Sequence, residues 1–280
     1  MKLVCDVSDS KRNSLAQQPI FGTLTDFLHR NQQVILRELV KEFPQAGFAK
    51  YLEACIEAGL ILRKDRRYQL ALPVFSGKEQ ATLLSTEAAQ AFLQSGKTKN
   101  AAELSLLFEA ARRRATRGFD PYYLEADVEL LRFAHVEDEA LILASASVGD
   151  LQAEDLAGYF AANRRVVEPS VFAKMRRLLG DVDEDYFMQQ IGWIVSRITR
   201  GKVPRQTIFL ETLLSTGIVA KTAEGLFTME IPCLVKGDVT GQSTLSDKTT
   251  AKSHFEEMSL YSELCKDCCG GLQQWFVKIK

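Results

Sequence analysis

Residues 48–75 read FAKYLEACIEAGLILRKDRRYQLALPVF, and residues 208–234 read IFLETLLSTGIVAKTAEGLFTMEIPCL. With one extra residue in the second hairpin, Leu52 falls on Leu210, Glu53 on Glu211, Gly59 on Gly217 and Pro73 on Pro232. The positions between these anchors match in kind: Tyr51 with Phe209, Cys55 with Leu213, Ile56 with Leu214, Leu60 with Ile218, Tyr68 with Phe227. The chain therefore contains one structural unit twice.

In the first copy Phe48, Tyr51, Leu52, Cys55 and Ile56 recur at i, i+3, i+4, i+7 and i+8, one face of an α-helix. Gly59 stands where a helix ends on a left-handed residue, a conformation glycine adopts without steric cost. Leu60, Ile61 and Leu62 then lead to a charged turn at Lys64 and Asp65, and Tyr68, Leu70 and Leu72 return on alternate residues, the period of a strand. A helix, a glycine and a two-stranded ribbon make the second half of a winged helix-turn-helix.

Upstream, Pro19 is placed to open a helix with Ile20, Phe21, Leu24, Phe27 and Leu28 on one face. A second helix is expected to carry Ile35, Leu36, Leu39, Val40 and Phe43 and to stop at Pro44. Residues 1–75 thus read as a winged helix-turn-helix module. Residues 76–150 read as a connecting region, with a helix from Asn100 to about Arg117, ended by Gly118 and Pro121, and a hairpin from the apolar runs 128–136 and 140–148, a helix for one of the two runs being the alternative because short apolar runs are ambiguous. Residues 151–234 read as helices around Tyr159, Phe172 and Ile191, closed by the second, winged-helix-like copy, in which a short middle helix is hard to find. Residues 235–280 read as a polar linker followed by a cysteine-bearing tail. The expected fold class is mainly α with small β-hairpins, an α+β protein.

No apolar run approaches the ~20 residues that cross a bilayer, and the first residues lack an apolar signal core, so a cytoplasmic protein without a membrane is expected. Six cysteines without regular spacing fit reduced intracellular thiols. The net charge is −1, but residues 1–75 carry 11 basic and 8 acidic side chains while residues 76–163 carry 8 and 14. This balance permits nucleic-acid binding without demanding it.

Two stretches, QPIFGTLTDFLHRNQQVILRELVKEFPQAGFAKYLEACIEAGLILRKDRRYQLALP and DLAGYF with LLGDVDEDYFMQQ and IFLETLLSTGIV, resemble an uncharacterised family of proteins from streptococci and related Gram-positive bacteria, a domain of unknown function. The resemblance spans roughly residues 17–75 and 151–232. It implies a bacterial, cytoplasmic, winged-helix-like protein and carries no catalytic residue with it.

Several motifs touch on chemistry. Ser95, Gly96, Lys97 and Thr98 end like a phosphate-binding loop, but the required earlier glycine is Ala91 and a helical pattern precedes them, so a polar turn is expected. Cys265, Cys268 and Cys269 are weak metal candidates, since only His254 or Cys233 could complete four ligands; no metal or cofactor is expected. His29, His135 and His254 lie in separate segments. Asp181, Asp183, Glu184 and Asp185 read as a helix start. Arg112, Arg113, Arg114 and Arg117 read as a solvated helix face with Glu103 and Glu109 as partners. Without a catalytic constellation, the chain is expected not to be an enzyme.

Two binding readings remain. In the first, the wing residues Arg63, Lys64, Arg66 and Arg67, with Lys50 of the preceding helix, grip the phosphates of double-stranded DNA. Against it, Glu53 and Glu57 share the outward face with Ala49 and Lys50. In the second, the same surfaces hold a protein partner.

Overall fold

The computed structural model describes residues 1–4, 10–115, 123–163, 170–237 and 250–279. In chain order it forms β1 (Lys2–Val4), α1 (Ser10–Ala16), α2 (Ile20–Asn31), β2 (Val34–Ile35), α3 (Leu36–Glu42), α4 (Phe48–Glu57), β3 (Ile61–Lys64), β4 (Arg67–Leu70), β5 (Val74–Ser76) and α5 (Gly77–Leu84). Next come α6 (Glu87–Lys97), α7 (Ala101–Ala115), β6 (Tyr123–Ala126), β7 (Arg132–Glu137), β8 (Leu141–Ser147) and α8 (Leu156–Asn163). A 3-10 turn (Ser170–Phe172), α9 (Ala173–Leu179), α10 (Glu184–Thr199), α11 (Ile208–Ser215), β9 (Val219–Lys221), β10 (Phe227–Met229), β11 (Cys233–Val235), α12 (Ala251–Cys269) and β12 (Leu272–Lys278) complete it. The fold class is the mixed α+β one that the sequence indicates.

The chain divides into two compact units, 1–86 with 118–129 and 247–257, and 87–117 with 130–246 and 258–280. These boundaries differ from cuts at 75, 150 and 234, because each unit draws segments from distant parts of the chain. Contiguous apolar periodicity cannot show that.

In the first unit α2, α3 and α4 close on a core of Leu24, Leu28, Leu39, Phe43, Phe48, Leu52, Cys55 and Tyr68. A three-stranded sheet in the order β2-β4-β3 joins the short strand between α2 and α3 to the hairpin after α4. Val34 pairs with Tyr68 and Ile35 with Arg67. That pairing corrects the second-helix reading: Ile35 belongs to β2, the helix begins at Leu36, and only Leu39 and Phe43 point inward. Ile35, Leu36 and Val40 are 40%, 46% and 48% exposed. A second sheet, β1-β6-β5, adds Leu124 to the same core, so residues 1–75 alone are not the whole unit.

In the second unit β7 and β8 form the expected antiparallel hairpin, with Arg132 opposite Ser147 and Glu137 opposite Ile142. The four-stranded sheet has the order β11-β12-β8-β7, and α8 to α11 pack on one core with Phe160, Phe187, Ile191, Leu210 and Leu213. The tail is therefore core rather than appendage: Trp275, Phe276 and Val277 are fully buried. The vicinal Gly270 and Gly271, at φ 62° and 87°, stop α12. Gly271 N–H donates to Cys265 O, six residues back, at 3.1 Å, and the chain passes directly into β12.

The two copies agree bond for bond. Gly59 and Gly217 take φ 69° and 70°. Leu60 N–H donates to Cys55 O and Ile218 N–H to Leu213 O, while Ala71 N–H donates to Leu60 O and Glu230 N–H to Ile218 O. The matched prolines accept equivalent bonds, Leu124 N–H to Pro73 O and Phe276 N–H to Pro232 O, both 2.9 Å. Each proline opens a strand that pairs in parallel with a later one, β5 with β6 and β11 with β12. The duplication therefore extends beyond the stretch in which the sequence displays it. The second copy differs as expected: α10 leads to α11 with no helix or strand between, and β9 and β10 stand as a two-stranded sheet.

Candidate nucleic-acid interface

The β3–β4 hairpin turns on two residues, Asp65 and Arg66, closed by the pair Lys64 and Arg67. Both central residues have positive φ, 50° and 65°, the signature of the turn whose twist matches that of the strands it joins. Glycine usually fills the second position; here a charged side chain stands there at a steric cost. The tip so formed carries Arg63, Lys64, Arg66 and Arg67, all exposed, and Lys50 is exposed on α4.

The two carboxylates on the outward face of α4 each have a cation. Arg63 Nη1 lies 2.7 Å from Glu53 Oε1, with about half of each side chain exposed. Lys11 Nζ of α1 lies 3.4 Å from Glu57 Oε2. The Tyr68 hydroxyl and Glu53 both favour the charged form of Arg63. α1 is tied down further: Arg12 Nε donates to Ala58 O at 2.6 Å, and the Tyr51 hydroxyl donates to Leu15 O at 2.8 Å. Burial, and then Cys55, push the Tyr51 phenol up, so this bond persists at any ordinary pH.

Beside the tip, the outer face of the sheet presents Ile35 and Leu62, the latter 43% exposed, on the side shared with Lys64, Arg67 and Gln69. Gln33 Nε2 donates to Gln69 Oε1 at 3.1 Å across this face. The sequence grouped the basic residues; it concealed the apolar ones next to them, because Ile35, Leu36 and Val40 read as a buried helix stripe.

The other motifs resolve structurally. Ser95, Gly96 and Lys97 lie in the last turn of α6, a helix end rather than a turn or a phosphate loop. A Cβ on Gly96 would clash with Leu264 Cδ1, so the glycine allows close packing against α12. Lys97 Nζ pairs with Asp267 Oδ2 at 2.8 Å. Cys265 is buried and faces Ala146 O, Cys268 is exposed, and Cys269 is half-buried. The contact with Cys269 and burial push the Cys265 thiol up, while Cys265 holds Cys269 down. Among the described residues no group of three or more His, Cys, Asp or Glu could hold a metal ion.

Asp183 caps α10, accepting from the N–H groups of Asp185 and Tyr186 at 3.0 and 3.1 Å, as the helix-start reading requires. His29 sits in the last turn of α2. His135 lies on β7, half-buried. His254 is buried, 3.3 Å from the Tyr123 hydroxyl, and desolvation pushes its pKa down to about 4.

The arginine cluster on α7 is where the sequence reading fails. Arg112 is 5% exposed and Glu109 is fully buried. Glu109 accepts from Arg112 Nε and Nη2 at 2.8 and 2.9 Å, from Arg113 Nε at 2.7 Å and from Trp275 Nε1 at 3.0 Å. Burial alone would push this carboxyl up; Arg112, then Arg113 and Trp275, outweigh it and hold the carboxyl below the usual range. Arg114 Nη2 meets the Tyr261 hydroxyl at 3.3 Å. Glu103 is spent on the helix start, exchanging bonds with Asn100. Arg117 lies outside the described residues.

Residues 2–107 match the family model of a domain of unknown function, DUF1803. The match takes in the hairpin and the helices before it, then α5, α6 and the first half of α7. No curated protein and no solved structure matches the chain. Among the described residues no helix is long and apolar enough to cross a membrane.

Proposed function

We propose that the first unit is a winged helix that binds double-stranded nucleic acid through its wing, in a cytoplasmic, bacterial, non-catalytic protein associated with transcription or another nucleic-acid process. The observation that carries this reading is the hairpin tip with four exposed cations, Arg63, Lys64, Arg66 and Arg67, beside a helix whose outward carboxylates are matched by Arg63 and Lys11. The order helix, strand, helix, helix, hairpin, with β2 hydrogen-bonded to β4, supports the fold part of the reading. Phosphate contacts by such a tip fix position and carry no sequence information. α4 offers Lys50 and Ala49 where base-reading side chains would stand, so the binding is of low sequence specificity.

One observation favours a second reading, a protein-interaction module. Ile35 and Leu62 lie exposed on the sheet face shared with Lys64 and Arg67, Leu36 and Val40 are exposed on α3, and exposed apolar residues rimmed by polar ones mark protein interfaces. Titration of the full chain into random-sequence duplex at two salt concentrations separates the two. Phosphate-driven binding loses affinity with salt at a slope of roughly 0.9 per phosphate, so three to four contacts give a slope near −3. Binding that is absent at low salt, or flat with salt, would remove the first reading.

A further inference from the structure

The outward face of α10 carries a feature that the wing reading does not use. Trp193 is 70% exposed, the most exposed of the large apolar side chains among the described residues, and Tyr186, two turns earlier, is 52% exposed. The inward face is ordinary core: Phe187, Ile191, Ile194, Val195 and Ile198 are buried. Tyr186 leans edge-on against Phe209, 5.7 Å between centroids, which fixes its direction, and Ile208 and Val203 continue the apolar surface at 43% and 51% exposure. Trp, Tyr and Arg are the residues that dominate binding hot spots.

Charge selects the occupant. Asp185 lies at the N-terminal end of this face and Arg197 at the C-terminal end, about 18 Å away at 1.5 Å per residue. Asp185, Gln189, Trp193 and Arg197 are spaced i, i+4, i+8 and i+12, so they form one continuous row. Among the described residues no ion pair engages Asp185 or Arg197, and Arg197 Nε and Nη2 donate to Val203 O at 3.1 and 2.9 Å, which holds the guanidinium in place. Such a row is complementary to itself when reversed: a second copy of the helix laid antiparallel, with the two-fold axis near Ile191, sets Asp185 against Arg197 at both ends. Trp193 then faces Gln189 and Gln190 of the second copy at the centre. Gly192 sits beside the axis, half-buried, with open space where its Cβ would be. A glycine in a helix interior costs about 1 kcal/mol, and a bare backbone at this point lets a facing helix approach closely.

We propose that the exposed face of α10 is a self-association surface, on which a second copy of this chain docks antiparallel about a two-fold axis, burying Trp193 and Tyr186. The interface is isologous, so each contact occurs twice. A dimer carries two wings, but the proposal stands on the second unit alone and does not depend on what the wing binds.

Sedimentation equilibrium of the full chain across roughly 1 to 300 μM tests it. The wild type is expected to dimerise with a dissociation constant of roughly micromolar order, the weak end of specific interfaces. Trp193→Ala, a change at an exposed position that leaves the core alone, should raise that constant about 30-fold or more, as for a hot-spot residue. Asp185→Lys and Arg197→Glu should each give a monomer, since each sets like charges at both ends. Mixing those two variants should give a 1:1 heterodimer, because both ends then pair opposite charges. A wild type that stays monomeric throughout, a dimer indifferent to Trp193→Ala, or charge variants that remain monomers when mixed would each overturn the proposal.

Discussion

Glu109→Gln is the substitution that most sharply tests the interior of the second unit. Four hydrogen bonds converge on this carboxylate, three of them from guanidinium groups. Glutamine keeps the volume but presents an N–H2 group to donors that need an acceptor, and it takes the countercharge away from Arg112, which is 5% exposed. Breaking a buried pair in this way costs about 3–5 kcal/mol, much more than the pair contributes against an apolar replacement. Arg113, with 22% of its side chain exposed, is the internal comparison: Arg113→Gln removes one bond at a site where water can substitute, and should cost about 1 kcal/mol. The assay is urea unfolding at pH 7, followed by Trp275 fluorescence from the same cluster. The pH dependence gives a second check. The folded carboxyl titrates below its ordinary 4.5, so its contribution is complete above about pH 4.5 and is lost as pH falls through the folded value. Wild type should therefore lose stability in that window and Glu109→Gln should lose less. A cost under about 1 kcal/mol for Glu109→Gln, with an unchanged acid profile, would mean that the cluster is not formed.

Three further outcomes are expected. Leu52→Ala, at a position 1% exposed in the first core, should cost roughly 2–5 kcal/mol in chemical denaturation. Arg66→Gly should stabilise the first unit by about 1 kcal/mol, seen as a rise in its melting temperature, because glycine takes the left-handed conformation that arginine holds at a cost. His254, pushed down to about 4 by burial, stays neutral in the fold while the unfolded chain protonates near 6.5. Stability should therefore be full above pH 6.5 and fall by roughly 3 kcal/mol toward pH 4, and thermal melts of His254→Phe should show a shallower decline over that interval.

The repeat, the β3–β4 hairpin and the β7–β8 hairpin are legible in the sequence because each rests on local signals: a helical face, a positive-φ glycine, alternation, a turn pair. What stayed hidden is non-local. Trp275, Phe276 and Val277 are consecutive and all buried, since β12 lies between β8 and β11 and both of its faces are covered; such a strand shows no alternation. Cys268 and Cys269 read as weak metal candidates, but the two glycines that follow them are a helix stop. The charge of Arg112 points to solvent, yet Ser105, Phe108, Glu109 and Arg112 share one face, and a carboxylate three and four residues before two arginines is the available sign of a buried pair. Ile35 misled for another reason: two residues of strand between helices are too short to break a helical period. Trp193 stands opposite Ile191, Ile194, Val195 and Ile198 on the helix, so its exposure could have been read from the pattern.

The central claim is that the wing binds phosphates as point charges, and removing two of them tests it most directly. The Arg66→Gly, Arg67→Ala double variant of the full chain is titrated against the same random duplex as wild type over a series of salt concentrations. The account predicts weaker binding to every sequence alike, with the salt slope reduced by about two units, while Arg66→Gly keeps the turn intact. Affinity and slope equal to those of the wild type would contradict it.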